Sequence, residues 1–163
     1  MTTLQKRIYF WLKEKRLAHI YRSLDGDSGT LLDIGAIDTS TRDRLGDRFA
    51  VTLADIEPRQ DGIERQDLHS LSYGDRSFDI VLCSQVLEHV ADPVRAIAEL
   101  KRVAKKKLII SVPNEPYFTL ARFLQWEREY LWAITPMALK EHLGQPSREG
   151  TFIKRYYVGE WLL

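Results

Sequence analysis

The stretch SFDIVLCSQVLEHVADP, Ser77–Pro93, opens on a run from Phe78 to Cys83 that is apolar at every position except Asp79. A strand with one wet face alternates polar and apolar residues, so an unbroken run of this kind is expected where both faces are covered, as in a parallel sheet. The run closes on Ser84 and Gln85. Farther on, Asp92 is suited to cap a helix and Pro93 to occupy its first position, where the missing N–H costs nothing. Pro93–Ala104 is helical by period, and KLIISVP, Lys107–Pro113, reads as another buried strand. Strand, helix and strand at this spacing make a βαβ unit.

Upstream the same alternation holds. TLLDIGA reads as a strand, Thr39–Leu45 as a short helix, FAVTLADI (Phe49–Ile56) as a second strand, and IERQDL (Ile63–Leu68) as a short third one. The expected fold is therefore α/β, a three-layer doubly wound sheet with mostly parallel strands. Leu4–Leu24 reads as an amphipathic helix ended by the turn DGDSG. Residues 1–24 are thus an N-terminal helix on a single α/β domain, 25–163. Beyond Pro113, Tyr117–Ile134 reads as a buried helix, GQPSREG (Gly144–Gly150) as a loop, and YYVGEWLL as the start of a further helix.

The net charge of +1 gives no general ground for a nucleic-acid partner, but residues 1–22 hold six basic side chains and one acidic one. Such a helix suits either an anionic membrane surface or the covering of a ligand pocket. The one cysteine, Cys83, excludes an internal disulfide, and no Cys/His spacing suits a zinc site, so a reducing cytoplasm and no metal are expected. No apolar run has the roughly 18–20 residues of a membrane span.

Ligands of doubly wound sheets bind at the carboxyl ends of the strands. At those ends lie Asp33 and Gly35, then Asp55, then Asp67, then Ser84 and Gln85. Asp55 follows Gly35 by twenty positions, the separation of an acid that accepts both hydroxyls of a ribose. A dinucleotide loop would need glycines where Ile37 and Ser40 stand, so a nicotinamide cofactor is a poor match.

Taken together, LLDIGAID, VTLADIEP, the segment RQDLHSLSYGDRSFDIVLCSQVLEHVADPVRAIAELKRV and LIISVPN resemble the class I S-adenosylmethionine-dependent methyltransferases over about Leu31–Asn114. The resemblance implies S-adenosylmethionine as cofactor and a small-molecule methyl acceptor. It implies that Asp33, Gly35 and Ala36 form the loop beneath the methionine part, that Asp55 and the adjoining Ile56 hold the ribose, that Asp67 and Leu68 meet the adenine edge, and that Ser84 and Gln85 line the wall by the sulfonium. Three departures stand out. Ile37 and Thr39 replace later loop glycines, where a β-branched residue resists positive φ. Lys105–Lys107 replaces the usual Pro-Gly-Gly turn and reads as a solvated helix end. Strands six and seven find no residues left to form them, which would leave strand four or five as an open edge prone to pairing in a homodimer.

Direct displacement at a sulfonium methyl needs alignment more than any one catalytic group. His89 and Glu88, after the fourth strand, are the candidates for a base, and Asn114-Glu115 is a second polar turn. PNEPY, Pro113–Tyr117, resembles a loop better than the Asn-Pro-Pro-Tyr motif of amino-group methyltransferases. The competing reading, motivated by Ile37, Thr39 and the missing strands, is a methyltransferase-like binding or scaffold module without turnover.

Overall fold

The computed structural model describes residues 3–114, 131, 133–152 and 156–163. In chain order these form α1 (Thr3–Arg22), β1 (Gly29–Ile34), α2 (Ser40–Leu45), β2 (Phe49–Asp55), β3 (Ile63–Arg65), β4 (Phe78–Ser84), a 3-10 turn (Leu87–His89), α3 (Pro93–Val103), β5 (Ala104–Pro113), α4 (Pro136–Leu143), β6 (Arg148–Phe152) and β7 (Tyr156–Leu162). Among the described residues there is one seven-stranded sheet, ordered β3-β2-β1-β4-β5-β7-β6. The first five strands are mutually parallel, while β7 runs antiparallel to β5 and to β6.

Period-two alternation explains why β4 is apolar throughout. Its Ile80 and Leu82 join Leu31, Ile109 and Val158 against Leu17, Ile20, Tyr21 and Leu24 of the α1 region. Its Val81 and Cys83 face the other way, with Leu32, Ile34, Leu108 and Ile110, onto Ala96, Ile97, Leu100 and Val103 of α3 and Leu139 of α4. Each face of the strand has its own helix layer, so neither can be polar. Asp92 caps α3 as expected, its Oδ1 accepting from the Arg95 backbone N–H at 3.0 Å.

The expectation of missing strands six and seven is overturned. GQPSREG turns into β6 at Arg148, and YYVGEWLL is a strand of seven residues, Tyr156–Leu162, rather than a helix. One of its side chains shows why. Trp161 lies back over Gly159, where a Cβ would meet the indole Cη2 at 2.4 Å, and donates its Nε1–H to the Gly144 carbonyl at 2.9 Å. With β7 beside it, β5 is interior, so the edge that was to favour a homodimer is covered; the edges are β3 and β6.

The three lysines are also not a helix end. Helix α3 passes into β5 at Ala104 without an intervening turn, and the β4–β5 register slips between Phe78 and Ile80, which lodges an extra residue among the lysines. Lys106 pairs with Asp79 at 2.8 Å, and Lys107, largely buried, lies 2.5 Å from Asp27 and 3.3 Å from Glu160. Helix α1 is amphipathic only in part: its later turns are anchored by Leu17, Ile20 and Tyr21, while Trp11, read as part of the apolar face, is 54% exposed. The Tyr117–Ile134 reading and Glu115 fall outside the described residues, apart from Leu131, Ala133 and the buried Ile134.

Candidate functional site

Strands β2 and β3 lie to one side of β1 and β5 to the other side of β4, so the strand order reverses between β1 and β4. A crevice at the carboxyl ends of that pair follows from the topology. There a cavity of about 100 Å³ is bounded by Asp33, Gly35, Ala36, Ile37 and Asp38 after β1, by Ser84 and Gln85 after β4, and by Lys13 and Arg16 from α1.

Alternation along β1 puts Leu31 and Asp33 on the face covered by α1. Asp33 is buried, and its Oδ2 accepts a 2.6 Å hydrogen bond from Thr41 Oγ1, which itself meets the Tyr21 hydroxyl at 2.9 Å. Burial pushes the Asp33 carboxyl up to about 6; Thr41 and Lys13 act against that rise, and Asp38 adds to it. With Asp33 ionised, Thr41 must spend its only proton on it, so Tyr21 donates to Thr41.

Gly35 has φ +86°, and a Cβ there would lie 2.1 Å from Val86 Cγ2. It is the single left-handed residue of this loop; the conflict expected at Ile37 and Thr39 does not arise, because neither has a positive φ. Thr39 sits at φ −85°. Asp38 instead organises the turn into α2, its Oδ1 accepting from the backbone N–H and the hydroxyl of Ser40 at 3.1 and 2.5 Å. Burial disfavours the Asp38 charge, but the Lys13 ammonium at 2.5 Å and the Ser40 bonds outweigh it and hold its pKa below the ordinary value. The loop thus bends by an Asx turn rather than by a succession of glycines.

Gln85 is a non-glycine residue at φ +60°. It is held there by β5: its backbone N–H donates to the Ser111 carbonyl at 2.8 Å and its side-chain amide to Ser111 Oγ at 3.1 Å. Such strain costs about 1–3 kcal/mol and concentrates at functional sites. Ser84 Oγ is shielded from solvent and has no hydrogen-bond partner among the described residues.

The remaining expected residues lie along the same edge of the sheet but not around this cavity. Asp55 closes β2 with Oδ1 accepting from the Glu57 N–H at 2.7 Å, and Ile56 beyond it is exposed. Asp67 Oδ1 accepts from the His69 N–H and faces His69 Nδ1, both at 2.8 Å, and these two bonds hold its carboxyl below the usual range. His69 Nε2 accepts from the Asp92 N–H at 3.1 Å, which assigns the ring proton to Nδ1. Leu68 is buried in the core. Glu88 is buried and His89 exposed on the 3-10 turn after β4. Among the described residues, no cluster of three or more metal-ligating side chains occurs, and no helix is long and apolar enough to cross a membrane.

Reading strand ends found Asp33, Gly35, Ala36, Ser84 and Gln85 together. It missed Asp38, Ser40 and Thr41 as lining residues, although Asp-x-Ser ahead of a helix is a turn signal that could have flagged the first two. Lys13, Arg16 and Tyr21 carry no local signal, because only the folding of α1 onto β1 brings them there.

Residues 32–111 match a family described as a methyltransferase domain. An uncharacterised methyltransferase of Schizosaccharomyces pombe is 53% identical over 38 residues, 23% of this chain and 14% of that protein. The matched stretches span less than a fifth, 17% and 14%, of the curated relatives' own lengths. Among solved structures, magnesium protoporphyrin IX methyltransferase of Synechocystis PCC 6803, with bound SAH, superposes with TM-score 0.79 at 18% identity over 99% of this chain and 88% of that one. The N-methyltransferase NodS of Bradyrhizobium japonicum WM9, in complex with S-adenosyl-L-homocysteine, has TM-score 0.69 at 16% identity, covering 93% and 87%. With the family match lying on β1 to β5 and the whole sheet reproduced in these folds, residues 32–111 are a methyltransferase domain on a Rossmann-like methyltransferase fold.

Proposed function

We propose that the chain transfers a methyl group from S-adenosylmethionine to a small-molecule acceptor. The observation that carries this reading is the convergence of Asp33, Gly35, Ala36, Ser84 and Gln85 on one cavity where the strand order reverses. The chain's own atoms suit the cofactor. Acids at positions 33, 55 and 67 favour a cationic sulfonium and its ammonium group, the Ser84 hydroxyl is without a protein partner among the described residues, and the Oδ2 atoms of Asp55 and Asp67 are left over once their Oδ1 atoms have organised the local turns. Asp55 with Ile56 would hold the ribose, and Asp67 with Leu68 the adenine edge.

Bound S-adenosylmethionine supplies a methyl group activated by a positively charged sulfur. The chain's task is to align an acceptor in line with it at about 3–3.5 Å and to exclude water. Of the two candidate bases, Glu88 is closed off from solvent, so His89 is the one placed to take a proton from an acceptor. Small-molecule chemistry is supported by the name of the magnesium protoporphyrin IX methyltransferase. The reduced, buried Cys83 accords with a cytoplasmic setting.

The noncatalytic reading rested on Ile37, Thr39 and missing strands; neither residue takes a positive φ, and β6 and β7 are formed, which supports the catalytic reading. Calorimetric titration tests the proposal. S-adenosylmethionine should bind saturably, NAD should not, and Asp55→Ala should weaken binding at least tenfold by removing a charged acceptor. No heat at millimolar S-adenosylmethionine would sink it. Turnover is read from formation of S-adenosylhomocysteine with candidate acceptors.

A further inference from the structure

We infer that His69 is a positioning residue for the cofactor's base: by tying Asp67 to α3 it fixes the carboxylate that tells a 6-amino purine from a 6-oxo one. The inference rests on the methyltransferase reading and on the assignment of Asp67 to the adenine edge.

Gln66–Ser77 links β3 to β4 with neither helix nor strand of its own, so its backbone groups need partners elsewhere. One face of α3 supplies them. Asp92 at the cap is followed by Arg95, Glu99 and Arg102 at intervals of three, four and three, which sets them along a single side of the helix. Arg95 Nε donates to the His69 carbonyl at 2.8 Å, and the Leu71 N–H donates to Glu99 Oε2 at 2.9 Å. Arg102 donates to the Leu71 and Tyr73 carbonyls at 3.0 and 2.8 Å, and to the carboxylates of Glu99 and Asp75. The segment that follows Asp67 is thus registered on α3 from the cap to the last turn.

His69 links that frame to the acid. Its Nε2 accepts the Asp92 N–H at 3.1 Å, and its Nδ1–H donates to Asp67 Oδ1 at 2.8 Å. An Asx turn such as that at Asp55 needs one backbone N–H, and Asp67 receives it from His69 at 2.8 Å. A carboxylate held by one donor still swings about that contact, and the Asp67 side chain is 54% exposed. The second donor comes from a ring that α3 itself holds, so the swing is stopped and Oδ2 is left for a ligand. Both bonds to Oδ1 favour the charged form, which makes Asp67 an acceptor only. Such a group pairs with the exocyclic amino group of adenine and is repelled by the oxygen that replaces it in hypoxanthine. Fixing the carboxylate makes that repulsion costly, because a mobile one turns away.

The test compares S-adenosylhomocysteine with S-inosylhomocysteine, its 6-oxo analogue, by calorimetry on the full chain. The wild type should prefer the first by roughly ten- to a hundredfold, the worth of a hydrogen bond to a charged group. Two amides separate the roles of the two ring nitrogens. His69→Asn places an amide N–H near the Nδ1 position and nothing near Nε2, whereas His69→Gln reaches the Nε2 position and leaves Asp67 without its side-chain donor. His69→Asn should therefore keep the preference, and His69→Gln should reduce it by about three- to tenfold. Both variants should bind S-inosylhomocysteine at least as tightly as the wild type, which also reports that they are folded. Preference retained in His69→Gln, or lost to the same extent in His69→Asn, overturns the positioning role and leaves the methyltransferase reading standing. A wild type that binds both ligands equally overturns the assignment of Asp67 to adenine and the role of His69 with it. Binding of neither ligand by the wild type overturns the inference and the methyltransferase reading together.

Discussion

Asp33 sits under α1 with a single hydroxyl for company, and its ionisation is opposed by burial. An acid whose folded pKa is raised has the opposite sign of linkage from a salt-bridged one. Its favourable contribution is fully present below about pH 4, where it is protonated in both states, and is lost as pH rises through the folded value of about 6. Asp33→Asn keeps an acceptor for Thr41 and cannot ionise. It should therefore raise stability at pH 8 by on the order of 2–3 kcal/mol relative to wild type, with the difference fading towards pH 4, as read from urea unfolding at both pH values. A constant difference across that range would show that Asp33 does not titrate as its burial demands. Cofactor affinity should fall in the same variant, so that binding and stability move in opposite directions, as expected where a site holds an unfavourable charge in readiness for a ligand. At this scale the sequence pointed to the acid but not to its state: Thr41 carried no local signal, and Lys13 and Tyr21 come near only across the packed face.

Among the elements, the loop from Leu31 to Ser40 shows how a missing glycine series can be replaced. One left-handed residue, Gly35, turns the chain out of β1, and an Asx turn at Asp38 then leads into α2. Two costs bar a larger residue at Gly35: left-handed backbone, about 1–2 kcal/mol, and overlap with Val86 of the β4 loop, about 1–3 kcal/mol. Gly35→Ala should destabilise the chain by about 2–5 kcal/mol in urea titration. In a Val86→Ala background the penalty should shrink to the conformational part, and a double-mutant cycle with no coupling between the two positions would refute the contact. Asp33, Gly35 and the β4 run were legible because they obey local rules. Ile37 and Thr39 misled, because a side chain's conflict with positive φ matters only where the backbone takes positive φ, and that is decided by the whole turn.

On the scale of the molecule, the C-terminal hairpin completes the sheet. Trp161 is buried in the α3 face of the core and tied to Gly144, so Trp161→Ala should cost about 3–5 kcal/mol in chemical denaturation and raise hydrogen exchange along β5, whose outer edge β7 covers. Loss of stability without faster β5 exchange would mean that the hairpin is not the cover described. YYVGEWLL misled because a short apolar run has no reliable period. Its assignment as a strand follows from pairing with β5, whose partner residues lie more than forty positions back in the chain. By itself the sequence determined the parallel α/β core and the acids at its strand ends, since alternation, capping and turn chemistry act over a few residues. Only the tertiary structure decided that the sheet has seven strands, that α1 closes the site, and that His69 ties Asp67 to α3, because burial and pairing belong to surfaces that meet only when the chain has folded.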